Sequence, residues 1–128
     1  MDEVRQSIIG ILSEKGVCSA FGVDAFIDSM PESPDQAVAL IEYGGEPTPS
    51  NAVVRRIQVL VRGMTYGQTR DRSMKAFNLL DQPSNPEHFT NAELWWIGRA
   101  KQTPTYLKTD SQGRFYFVFN LQIVTDRR

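Results

Sequence analysis

The chain is poor in the residues that hold metals, form disulfides or act as nucleophiles: it has one cysteine, Cys18, and one histidine, His88. A lone cysteine excludes a disulfide within the chain and suits a reducing compartment. One Cys and one His also exclude structural zinc, which takes four nitrogen or sulfur ligands. Nucleophilic catalysis needs a Ser, Cys or Thr beside an activating base. His88 sits in the stretch NPEHFT, which reads as a surface loop, and Cys18 has no CxxC partner and reads as a small packed residue. Neither GxGxxG nor GxxxxGK[ST] occurs, so no phosphate cradle is written in the chain. Asp24, Asp28, Glu32 and Asp35 lack EF-hand spacing and read as a solvated acidic stretch. The expectation is therefore no enzyme, no catalytic residue, no metal and no cofactor. No apolar run approaches the roughly 20 residues that span a bilayer. Acids directly after Met1, with no long apolar stretch behind them, read as no secretory signal.

What is present is an ordinary globular composition. The 128 residues are 41% hydrophobic and 23% charged, which fits one domain over 1–128 and argues against disorder of the whole chain. The net charge of −1 hides an asymmetry. Residues 1–50 hold two basic and nine acidic side chains, a net of −7; residues 51–128 hold twelve and six, a net of +6. Separated in space, such charges would favour head-to-tail contact between copies. Intermixed, they would only aid solubility.

Periodicity supplies the elements. Val4, Ile8, Ile11 and Leu12 recur at helical spacing, with acids in the first turn, and predict a helix over 2–14. Residues 17–36 read as a loop with one short strand or turn near 25–28. AVALIEY (37–43) reads as a strand and GGEPTPSN (44–51) as a long loop. In 52–62, Ile57, Val59 and Val61 alternate with Arg56, Gln58 and Arg62, the period-2 pattern of a half-buried strand. Tyr66, Ser73, Met74, Ala76, Phe77 and Leu80 predict a second helix over 65–82 with Thr65 as its N-cap. Residues 94–100 and 104–108 read as short strands, and 114–124 as the strongest strand, with Phe115, Phe117, Phe119, Leu121 and Ile123 on one face. Consecutive Trp95 and Trp96 should point to opposite faces, one into the core. The fold class is α+β: an antiparallel or mixed sheet of four to five strands with two main helices packed on one face. Tyr116, Val118 and Val124 would then leave an apolar patch on the other face, suited to a partner.

Three stretches carry a resemblance: PDQAVALIEYGG (34–45), IQVLVRGMTY (57–66), and the turn D-x-x-G-R running into FYFVFNLQI (110–123). With the element order, they resemble the minor capsid and tail-terminator proteins of long-tailed bacteriophages across nearly the whole chain. The resemblance implies a structural virion protein, assembled in the host bacterial cytoplasm. It implies a homo-oligomer, typically a hexameric ring, that closes the head-proximal end of the tail tube. Its partners would be sister copies, the tail tube protein and the head-completion or connector protein. DNA would pass through the ring without sequence-specific binding, and no membrane is involved. A ring of heterologous contacts fits the charge asymmetry. The expected contact residues are Gly44, Gly45, Glu46, Pro47, Arg56, Gln58, Arg62, Tyr66, Tyr116 and Val118. Two other readings stay open: a non-viral protein-binding module with the same sheet, and a small metal-dependent nuclease using carboxylates.

Overall fold

The computed structural model describes residues 3–81 and 96–126. Eight elements follow in chain order: α1 (Glu3–Glu14), β1 (Ala25–Ile27), β2 (Ala37–Pro47), β3 (Ala52–Gly63), α2 (Tyr66–Leu80), β4 (Trp96–Ala100), β5 (Thr105–Thr109) and β6 (Phe115–Asp126). The strands form one sheet in the order β1-β2-β3-β6-β4, and β5 also pairs with β6 beside β4. β1 runs parallel to β2 and every other pairing is antiparallel, so the sheet is mixed. The α+β class is as expected. The described residues hold six strands rather than four to five, because the short pieces at 25–27, 96–100 and 105–109 each find a partner.

The alternation in β6 decides which face is the core. Phe119, Leu121 and Ile123 are buried under the helices together with Ile57, Val59 and Val61 of β3, and Phe117 is buried on the same face against Tyr66. α1 adds Val4, Ile8, Ile9 and Leu12 to the same core. Phe77 of α2 meets Phe119 edge-on, with ring centroids 5.8 Å apart. Trp96 is the tryptophan that enters the core, and its Nε1 donates to Ser7 Oγ at 3.0 Å, which satisfies the indole at no loss of burial. Trp95, His88 and the start of the strand expected at 94 lie outside the described residues.

α2 begins where expected: Thr65 Oγ1 accepts from Gln68 N at 3.3 Å. Its buried stripe differs from the expected one. Thr69, Ser73, Ala76 and Leu80 face inward; Met74 and Phe77 are half-buried and Tyr66 is exposed. Small side chains let the helix lie close to the sheet. Gly63 shows how close: a Cβ there would sit 2.3 Å from Thr69 Oγ1.

The first half of the long loop expected at 44–51 is strand. β2 continues through Gly44, Gly45, Glu46 and Pro47, paired with Arg56, Arg55, Val54 and Val53. A bulge between Glu42 and Gly44 absorbs one extra residue. Gly44 adopts φ +146°, which a side chain would disfavour, and a Cβ on Gly45 would lie 2.3 Å from Val54 O. The two glycines thus permit pairing here rather than ending it. Only residues 48–51 connect the two strands.

Candidate functional site

The face of the sheet away from the helices has two unlike halves. At one end the irregular segment 29–36 lies across it as a strap. Beneath the strap Ala39, Leu60, Tyr116 and Val118 form a second apolar cluster, with Met30 and Ile41 packed against it. Tyr116, Val118 and Arg62 are therefore inside the subunit, with 7%, 8% and 1% of their surface exposed, and do not lie on an outer contact face. The apolar patch expected from Tyr116 and Val118 exists, but this chain covers it itself.

Two arginines fasten the strap. Arg62 donates from Nε to Asp35 O at 3.0 Å and from Nη2 to Pro34 O at 2.5 Å. Arg114 donates from Nη1 to Glu32 O at 2.5 Å and from Nε to Asp110 Oδ2 at 2.8 Å. Tyr116 Oη donates to the same Asp110 oxygen at 2.9 Å. Arginine suits this place because its planar fork serves several carbonyls at once and stays charged. The turn D-x-x-G-R, noticed in the sequence as a motif, is thus an internal clamp: Asp110 also accepts from Gln112 N and Arg114 N, each at 3.0 Å.

This clamp has a pH consequence. Partial burial alone would raise the Asp110 pKa. Hydrogen bonds from the Arg114 amide, the Tyr116 hydroxyl, the Arg114 guanidinium and the Gln112 amide outweigh it and hold the carboxyl at about 2, against an ordinary 3.8. The folded value lies below the unfolded one, so the stabilisation is complete above pH 3.8 and disappears as pH falls through about 2. Urea titrations between pH 5 and pH 2 are expected to show a falling midpoint, with a shallower fall in Asp110→Asn. Equal slopes for the two proteins would remove Asp110 as the cause.

At the other end, no described residue covers the same face. Ile41, Val54, Gln58, Asn120, Gln122 and Val124 are half-buried there, and Ile97 and Arg99 of β4 are exposed. Arg56 and Glu46 pair across it at 2.9 Å, the first partly and the second mostly in solvent. Of the ten residues expected in contacts, Gly44, Glu46, Arg56 and Gln58 fall on or beside this open half. Gly45 and Pro47 are exposed in the same hairpin, beside its tip.

Tyr66 stands apart, at the far end of β3 and on the helix side. Its ring meets Phe117 at 5.0 Å, Tyr106 at 5.8 Å and Phe115 at 5.9 Å. Tyr66, Tyr106, Leu107 and Met64 remain about half exposed. Sequence reading found Tyr66 alone, because Phe117 reaches it through the pairing of β6 with β3, and Tyr106 through the pairing of β5 with β6.

Part of the charge of the two halves of the chain meets inside the subunit. Acids of the first half pair within the subunit with bases of the second: Glu42 with Arg55 at 2.7 Å, Glu46 with Arg56, and Glu32 with Arg114 at 3.3 Å. Within the first half, Arg5, buried against Asp28 and Leu40 O, ties α1 to the sheet. Among the described residues no group of three or more His, Cys, Asp or Glu could hold a metal ion, and no helix is long and apolar enough to cross a membrane.

Comparison with known proteins adds one finding. Residues 11–127 match the family described as bacteriophage tail terminator protein. None of the curated proteins matches the chain.

Proposed function

Because the chain belongs to the bacteriophage tail terminator family, and so has a structural role in a phage tail, we propose that it closes the head-proximal end of the tail tube as a homo-oligomeric ring and joins it to the head. Its partners in this reading are sister copies, the tail tube protein and the head-completion or connector protein. DNA passes through the ring without being read, and assembly takes place in the host cytoplasm before the tail joins the virion.

The observation that supports the reading is the open half of the sheet face. Ile41, Val54, Val124 and Ile97 put apolar side chains among the amides of Gln58, Asn120 and Gln122. An apolar area rimmed by polar side chains suits a protein interface. Glu46, Arg56 and Gln58 are proposed as contacts on it, and Gly44, Gly45 and Pro47 as the adjoining hairpin edge.

Native mass spectrometry across a concentration series, with and without tail tubes, tests the proposal. One defined multimer is expected. Gln122 lies in register with both Arg56 and Arg99. Gln122→Arg would place three like charges abreast, and is expected to abolish the multimer while the circular dichroism stays unchanged. A protein that remains monomeric alone and on tubes would overturn the ring.

A further inference from the structure

The hairpin tip and the tyrosine cluster stand at opposite ends of β3. The tip, residues 48–51, leads into Ala52, which pairs with Asp126; Gly63 at the other end pairs with Phe115 of the cluster. Eleven residue steps of about 3.3 Å put them roughly 35 Å apart. Within one subunit they cannot meet.

Their chemistry is complementary. The tip is flanked by Pro47 and carries Pro49, both exposed. Proline loses little conformational freedom on docking and packs on aromatic rings, which is how Pro-rich segments are recognised by aromatic-lined surfaces. The cluster offers such rings: Tyr66 and Tyr106 are 49% and 43% exposed, backed by Phe115 and Phe117. Charge agrees as well. Glu46, beside the tip, has a side chain 60% exposed. Arg70, one turn beyond Tyr66, is 59% exposed. The present partners of Glu46 and Arg70, Arg56 and Asp71, are 36% and 77% exposed, and pairs reached by solvent contribute little and exchange readily.

From this we infer that the proline tip of one copy docks on the tyrosine cluster of the next, head to tail, with Glu46 facing Arg70. The contact is heterologous, so repetition closes a ring or extends a filament. A tip of this size buries far less than the roughly 1,200 Å² of a stable pairwise interface. It therefore holds only when repeated around a ring alongside the open sheet face. The inference rests on the ring reading above and assigns it a second contact.

Cysteine cross-linking separates the two. Asn51 is exposed at the tip, and Gly67 is exposed beside Tyr66 with nothing within 4 Å of an added Cβ. Native Cys18 stays silent, since burial, aided by the negative charge of Asp24, pushes its thiol up to about 11. Oxidised Asn51→Cys/Gly67→Cys protein is expected to give a ladder of linked multimers. An equimolar mixture of the two single variants should give linked dimers and nothing larger. Adding Pro47→Ala and Pro49→Ala, or Tyr66→Ala, is expected to lower the linked fraction at least tenfold. Intact multimers in native mass spectra of the same double variant, with no linkage, would overturn this contact and leave the ring standing. Absence of multimers from the wild-type protein would overturn both.

Discussion

Replacing Phe119 by alanine is expected to lower the free energy of unfolding by about 3–5 kcal/mol. Phe119 is fully buried at the centre of β6, paired with Val59 on the neighbouring strand and edge-on to Phe77 of α2. Truncation removes the apolar surface and leaves a cavity that cannot collapse, because a strand on one side and a helix on the other hold its walls. For a domain whose whole stability is about 5–15 kcal/mol, such a loss brings the protein close to unfolding. Urea denaturation followed by circular dichroism measures it as a lower midpoint with an unchanged slope. Phe119→Leu, which keeps most of the volume, should lose much less. A loss below about 1 kcal/mol for the alanine variant would mean that β6 is not the centre of the core.

The second large effect belongs to Arg62. Arg62→Ala is expected to cost about 2–4 kcal/mol, from carbonyl oxygens left without donors and from lost packing of the side-chain stem. Arg62 is 1% exposed and donates to Pro34 O and Asp35 O. Its loss should free the strap, and hydrogen exchange of residues 29–36 reports that directly. Amides there should exchange faster than in Phe119→Ala at equal residual stability, because the damage is local rather than global. Arg62→Lys is expected to recover only part of the loss, since an ammonium cannot serve both carbonyls with a planar fork. If strap protection were unchanged in Arg62→Ala, the strap would be held by Arg114 and Met30 instead.

Both effects bear on the proposed role. A subunit that offers half a sheet face must keep the other half covered, or the apolar cluster of Leu60, Tyr116 and Val118 would compete for the same partners. The strap provides that cover, and the Arg62–Arg114–Asp110 clamp fixes its position.

Much of the fold was legible in the residues. Phe115 to Ile123 alternate so regularly that β6 and its core face follow from period alone, and the Thr65 cap was found where its side chain could serve α2. The family motifs were legible too, since they are contiguous. The strap's role was not. Nothing local in Ser29–Gln36 says that it crosses the sheet, and Arg62 on an alternating strand reads as a solvated charge until those carbonyls are placed above it. The extension of β2 through Gly44 to Pro47 was hidden for a related reason. Gly-Gly-x-Pro is loop composition, and only the closeness of Val54 O to Gly45 shows why glycine is needed inside the pair.

The sequence by itself determined the α+β class, the helix-packed face and the membership in a tail terminator family, because periodicity and contiguous motifs are properties of neighbouring residues. Tertiary structure alone decided which polar residues lie on the surface, because that depends on what folds over them from far along the chain. It buried Arg62 and Tyr116, left Arg56 and Gln58 half-buried on the uncovered part of the sheet, paired Glu42 and Glu46 with Arg55 and Arg56, and gathered Tyr66 with Tyr106 from a helix and a strand forty residues apart.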